Sequence, residues 1–505
     1  MQIKVCKSMQ QIFKTFSLKG IVQLSKANLL ILVIGGIARC LIPFLDDQKQ
    51  LFATAHQADL LNLSFPSNVL AQWDMKPWPT RLVYYSFYKL LYPFYDNKIL
   101  FIVLAQALLI LLIWLTLRGL TTVLPLPSRP YFFNFSFCAL LLTTPTIFFQ
   151  IEFVAVILCL FAFILLNHPR NAMRYFGEAI LLFVTSLKGI SVFFSIFTLL
   201  IALALRTQTR KENAQFILRN CVFNAISLLI VSKDVIRSAI AQGASNHEIG
   251  QLFSLRNLEY IYLGLKGALI DMPFLVYLPV IVILLLVRRN RPLFTFLYVS
   301  LCGLFLLSLV FQINFTYHYC FFLLVLILSF FLFDQGRLFS RYTINVPLMI
   351  LIALVITKFW IPITFSPSSF SFGINSSSKI TSSYNDLHRE TEVFTQTQKV
   401  VGSSNILFLT DGIANFYLRN QSGCREYFPV HFQRSLMYPT LAEIKDSYRY
   451  KNFLQCANTF TGRFILVQTS WIPTSQSNFL LQKDFVLLNQ FTTGIRDYSL
   501  YMRRG

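Results

Sequence analysis

Long apolar runs separated by short basic clusters fill the chain from Ala27 to Ile363, and they restrict its fold more than any other feature. A helix that crosses a bilayer needs about 20 mostly apolar residues. Runs of this kind are Ala27 to Leu45, Lys98 to Leu117, Tyr131 to Phe149, Phe216 to Val231, Met272 to Val287, Pro292 to Phe311, Tyr319 to Phe333 and Thr343 to Ile363, with Glu152 to Leu166 a shorter one. Charged residues make up 13% of the sequence, against about 25% in soluble proteins. That deficit points to a bilayer.

The stretch from Phe176 to Leu205 admits two readings. As one helix it would be about 45 Å long, more than a hydrocarbon core of about 30 Å requires. Split at Lys188-Gly189, it becomes two short arms joined by a turn. Charge decides between them. Lys4, Lys7, Lys14, Lys19 and Lys26 put the N-terminal segment on the cytoplasmic side. With the split, the later clusters at Arg118 and Arg129, Arg170 and Arg174, Arg206 to Arg219, Arg288 to Arg291, and Arg337 and Arg341 fall on that same side. The expected fold class is a polytopic α-helical membrane protein of about eleven transmembrane helices, with a C-terminal extracytoplasmic α/β domain.

The expected divisions are a cytoplasmic segment over 1–26, a multi-span domain over 27–363 with an outer loop at 46–97, a Ser-rich linker at 364–383 and the outer domain at 384–505. Within the tail, Asn405 to Thr410, Arg463 to Thr469 and Phe485 to Asn489 read as strands. Asp411 to Asn420 and Leu441 to Cys456 read as helices. The net charge of +22 is spread in small clusters between apolar runs, which argues for contacts to membrane lipids and against nucleic acid. Nine cysteines include no CxxC pair. Cys424 and Cys456 are the only two in the tail, outside the membrane in this topology, and are expected to form a disulfide.

Candidate chemistry gathers at one membrane face. Asp46-Asp47 follows the first apolar run, with Arg39 inside that run, where a charge is costly unless paired or functional. Two acids there either mark the membrane surface or supply a base and a partner that tunes it. Arg81, in an aromatic-rich segment, is a candidate ligand for a lipid phosphate. Glu152, Lys188 and His318 each stand at the outer end of an apolar run. Individually each reads as a snorkelling or satisfied side chain; together they read as a substrate-binding set. No Walker A motif and no metal-ligand spacing stands out. No cofactor is expected, and a divalent metal stays open.

The order of these features resembles the GT-C superfamily of membrane glycosyltransferases, most nearly bacterial relatives of lipid A aminoarabinose transferases and protein O-mannosyltransferases. The resemblance rests on Arg39 with Asp46-Asp47, the Tyr-rich segment Pro77 to Tyr88, Gln150-Ile151-Glu152, Ser186-Leu187-Lys188-Gly189, Tyr317-His318-Tyr319, and Ile406 to Gly412 with Tyr417 and Arg425 to Phe428. It implies that Asp46 is the catalytic carboxylate in a pair usually written Asp-Glu, here Asp-Asp. A shift of one position would give that role to Asp47. It further implies inverting transfer of a sugar from a polyprenyl-phosphate donor to a glycan, lipid or protein acceptor, at the periplasmic face of a bacterial inner membrane. Arg81 and Lys188 would take the charge growing on the leaving phosphate. Two rival readings stand beside it: a transporter or lipid flippase, which would explain the apolar runs and the charge inside them, and a non-catalytic membrane receptor, which would explain the tail but not Arg39 or Lys188.

Overall fold

The computed structural model describes residues 36, 46–60, 78–123, 129–141, 143, 147–205, 210–241, 255–279, 282–283, 292–309, 316–333, 379–410, 412–424, 455–469, 484–494 and 496–504. In chain order the helices are α1 Asp46–Leu60, α2 Trp78–Leu91, α3 Lys98–Val123, α4 Arg129–Leu141, α5 Ile151–Leu166, α6 Asn171–Leu187 and α7 Ser191–Leu205. They continue with α8 Arg210–Ala241, α9 Leu255–Asp271, α10 Pro292–Ser308, α11 Phe321–Phe333, α12 Lys379–Val401 and the single turn α13 Ala414–Tyr417. The strands are β1 Ile406–Leu409, β2 Phe464–Gln468, β3 Phe485–Thr492 and β4 Asp497–Arg503. Two compact units divide the chain, one of Met1–Leu41 with Gln106–Ser378 and the other of Ile42–Ala105 with Lys379–Gly505. The outer loop and the tail, separate domains in the sequence reading, thus fall in one unit.

The expectation of about eleven transmembrane helices is corrected by the helix lengths. Among the described residues one helix, Lys98–Thr121 within α3, is long and apolar enough to cross a membrane. Ile151–Leu166, Ser191–Leu205, Leu293–Ser308 and Thr316–Ser329 are apolar but shorter. The 16 residues of α5 reach about 24 Å, short of a core of about 30 Å. An apolar run does not by itself set a helix length. The run from Tyr131 leaves its helix at Leu141 and makes a turn over 147–149, and the run from Met272 begins with a 3-10 turn, Pro273–Tyr277. The runs Ala27 to Leu45 and Thr343 to Ile363 lie outside the described residues, Gly36 excepted.

In the first unit α5 is buried over most of its surface, and α6, α7 and α11 pack around it. Gly177 lets α6 approach closely, because a Cβ there would sit 3.0 Å from the Ala162 carbonyl and from Leu165 Cβ. The helix α8 is inverted relative to a soluble amphipathic helix. It buries Asn220, Asn224 and Ser227 while Leu218 and Leu229 are 67% and 72% exposed. The buried face is held by polar contacts: Thr185 on α6 bonds Asn224, and Arg219 makes a two-pronged contact with Glu178. A helix at a water-facing surface places these two kinds of residue the other way round.

The second unit is built on a mixed four-stranded sheet of order β1-β2-β4-β3. β1 and β2 are parallel, with Ile406 opposite Phe464, and each is buried along its whole length. β4 runs antiparallel to β2 and to β3, the latter pairing shifting register between Leu487 and Asn489. Cys424 and Cys456 are joined by a disulfide, Cα to Cα 5.9 Å, inside a core of Leu407, Leu409, Ile465, Val467 and Tyr501. α12 begins at Lys379, inside the stretch read as linker, and the expected helix Asp411 to Asn420 is the short α13. Asp411 and 441–454 lie outside the described residues.

Candidate functional site

Three of the sequence candidates meet in the first unit. Glu152 stands in the first turn of α5, where a carboxylate suits the positive end of the helix dipole. The chain enters that turn through Phe149, whose φ of 74° is left-handed. A bulky residue in that region costs on the order of 1 kcal/mol or more and is held there by surrounding packing. Lys188 follows α6 in extended backbone, and its carbonyl accepts the Ser191 N–H at 2.9 Å as α7 begins. A cation is favoured at that helix C-terminus for the reason an anion is favoured at the start of α5. His318 lies in the 3-10 turn Thr316–Cys320 that leads into α11.

The ammonium of Lys188 donates to Glu152 Oε1 at 2.5 Å and to His318 Nε2 at 2.8 Å. The imidazole Nε2 is 3.5 Å from the same carboxylate oxygen. The Tyr317 ring lies beneath the ammonium, 5.3 Å from its centroid, a cation–π arrangement. Glu152 and His318 are closed off from solvent, whereas 22% of the Lys188 side chain is exposed. Glu152 Oε2 makes no hydrogen bond among the described residues. The cluster therefore combines a sealed carboxylate with one oxygen open to a donor, and a cation with a route outward.

The other sequence candidates belong to the second unit. α1 opens at Asp46 and Asp47, whose side chains lie outside the described residues, as does Arg39. Arg81 on α2 is buried.

Sequence reasoning did not find the charged centre of the second unit. Glu390 on α12, fully buried, accepts from Lys49 at 2.8 Å and Tyr417 at 2.5 Å on Oε2, and from Arg496 at 2.9 Å on Oε1. A signal was available: Leu387, Glu390, Phe394, Thr397 and Val401 are spaced as one helix face, all buried, so Glu390 sits on an apolar stripe. In the same unit, His56 on α1 shares a hydrogen bond of 3.0 Å with the Tyr88 hydroxyl and leans on the Tyr95 ring. Burial, then the charges of Lys98 and Arg419, hold the His56 imidazole down to about 3, so it is neutral at physiological pH.

Among the described residues no group of three or more His, Cys, Asp or Glu side chains is placed to hold a metal. No protein family, curated protein or solved structure matches the chain.

Proposed function

We infer that the chain is a membrane glycosyltransferase that moves a sugar from a polyprenyl-phosphate donor to an acceptor hydroxyl at the periplasmic face of a bacterial inner membrane. The observation that carries the reading is the meeting of Glu152, Lys188 and His318, three residues far apart in sequence, with the lysine alone of the three partly exposed. Lys188 is a cation placed by a rigid partner and suited to a phosphate oxygen. The inverted polarity of α8 supports the membrane part, because an exposed apolar face over a buried polar one fits lipid better than water.

The role of base comes from the resemblance. Asp46, or Asp47 one position on, takes the proton from the acceptor hydroxyl, whose oxygen attacks the anomeric carbon. The bond between that carbon and the phosphate oxygen breaks, and the electron pair stays on the phosphate. The acceptor is a glycan, a lipid or a protein.

The test is transfer of labelled sugar from a short-chain polyprenyl-phosphate sugar to a panel of the three acceptor types. Lys188→Met is expected to lose about 100-fold or more in turnover, and Asp46→Asn a comparable amount with Asp47→Asn milder. Activity lost in Asp47→Asn and kept in Asp46→Asn would move the base by one position. Normal transfer in all three variants would remove the reading, and so would movement of labelled lipid between leaflets with no transfer at all.

A further inference from the structure

The charge balance of the Glu152 cluster bears on how it receives an anion. An ammonium has only hydrogens to offer, so the His318 Nε2 that Lys188 contacts at 2.8 Å presents a lone pair. The ring is then neutral with its proton on Nδ1, and the cluster holds one negative and one positive charge. A phosphate reaching Lys188 meets an ammonium already neutralised by a carboxylate 2.5 Å away.

One proton at Nε2 changes this arrangement. The acceptor becomes a second donor, and the Lys188–His318 hydrogen bond can no longer form. The new N–H lies 3.5 Å from Glu152 Oε1, so the imidazolium can take the carboxylate in place of the lysine. Lys188, the partly exposed member, is freed toward a ligand, and the cluster carries a net charge of +1. The charged and titratable groups around His318 favour that state once the lysine turns away. They are Glu152 from α5, Lys188 from the α6–α7 junction, Tyr317 and the buried Cys320 in its own turn, and Asp271 at the end of α9, bonded to Thr316. Of the other charged residues of α9, Glu259 and Lys266 are exposed, and the side chain of Arg256 lies outside the described residues.

We propose that anion binding at this cluster is coupled to uptake of one proton by His318, which takes over Glu152 and releases Lys188 to the ligand. The ligand class is a phosphodiester or phosphomonoester anion, and this rests on the cluster being the phosphate site of the transferase reading. Histidine is the side chain suited to such a role near neutral pH.

The experiment is titration calorimetry of the full chain in detergent with a short-chain prenyl phosphosugar, a phosphodiester that holds one negative charge throughout. Binding heats are compared in two buffers of different ionisation enthalpy, at several values between about pH 5.5 and 8. The expected result is net uptake of a proton, with affinity tightening as pH falls, toward a limit of about tenfold per pH unit for one linked proton. His318→Gln keeps an acceptor for Lys188 but takes no proton, so its binding is expected to be weak and independent of pH. Buffer-independent heats in the unsubstituted protein would overturn the coupling while leaving the phosphate site intact, and that measurement does not depend on the variant folding. Proton uptake that persists in His318→Gln would overturn the assignment to His318. Absence of binding at every pH would overturn the phosphate site itself, and the coupling with it.

Discussion

Glu152 and Glu390 are both sealed from solvent and both face cations, one in each unit. Glu390 has three donors on its two oxygens, from Lys49, Arg496 and Tyr417, and Lys49 and Arg496 are themselves buried. Glu152 has one strong donor on one oxygen, and that donor is partly exposed. A buried carboxylate whose capacity is filled by groups from three parts of the chain holds a fold together. One left half-filled beside a partly exposed lysine is suited to hold a place for a ligand. Counting occupied lone pairs, more than counting charge, separates the two.

The sharpest way to break this contrast is to neutralise each acid in turn. Glu390→Gln leaves two buried cations around an amide, and a loss of about 3 to 5 kcal/mol is expected in the unfolding of its unit by denaturant. An effect below about 1 kcal/mol there would remove the structural assignment of Glu390.

Next in size is the disulfide of the same unit. Replacing Cys424 and Cys456 by serine opens a loop of sequence separation 32, and a loss of about 3 to 4 kcal/mol is expected from the freed unfolded chain. The midpoint of denaturant unfolding, with and without reductant, measures it. An unchanged midpoint would mean that the Glu390 network alone sets the stability of the unit.

Acid should act on stability in the second unit, where it acts on binding in the first. His56 is held at about 3 in the folded protein against 6.5 when unfolded, so the unfolded chain takes up the proton first. Stability is complete above about pH 6.5 and falls as pH drops toward 3, by about 1.4 kcal/mol per unit. Roughly 2 kcal/mol is therefore expected to be lost by pH 5, and His56→Asn should lose less over the same interval. Equal losses in the two proteins would show that other groups carry the acid sensitivity.

The smallest effect is expected for Glu152→Gln. Its lysine partner can regain water, so about 1 kcal/mol of stability is at stake, together with loss of the pH dependence of binding. A collapse as large as that of Glu390→Gln would erase the comparison.

The two glutamates also differ in how legible they were. Glu152, Lys188 and His318 each interrupt or bound an apolar run, and a charge in that position is costly enough to be noticed residue by residue. Their shared place at one membrane face follows from sidedness, and the break of the helix at Lys188 follows from the basic clusters, length alone leaving two readings. Glu390 shows only as a charge on the apolar stripe of α12, and its partners Lys49 and Arg496 are 341 and 106 residues away, so no local pattern names them. Apolar length was the misleading signal. It reports which segments avoid water but not where a turn such as 147–149 or Pro273–Tyr277 cuts the helix. β4, with Asp497, Ser499 and Arg503 among its apolar residues, gave too weak an alternation to be read as a strand.

The pairing of Lys49 with Glu390 also has a consequence for synthesis. At about 5 to 20 residues per second, a ribosome takes on the order of 20 to 70 s to pass from one to the other. Through that interval α1 exists without the carboxylate that neutralises its lysine and without the backbone of Asn420 and Ser422 that Gln57 engages. The larger part of the first unit, Gln106 to Ser378, is translated within the wait, its Met1–Leu41 part having preceded Lys49. Nascent chains arrested before Glu390 should therefore keep α1 open to proteases, and a tail expressed alone from Lys379 would have no lysine for that acid. The sheet of the second unit can close only once β4 has been translated, because β4 pairs with both β2 and β3.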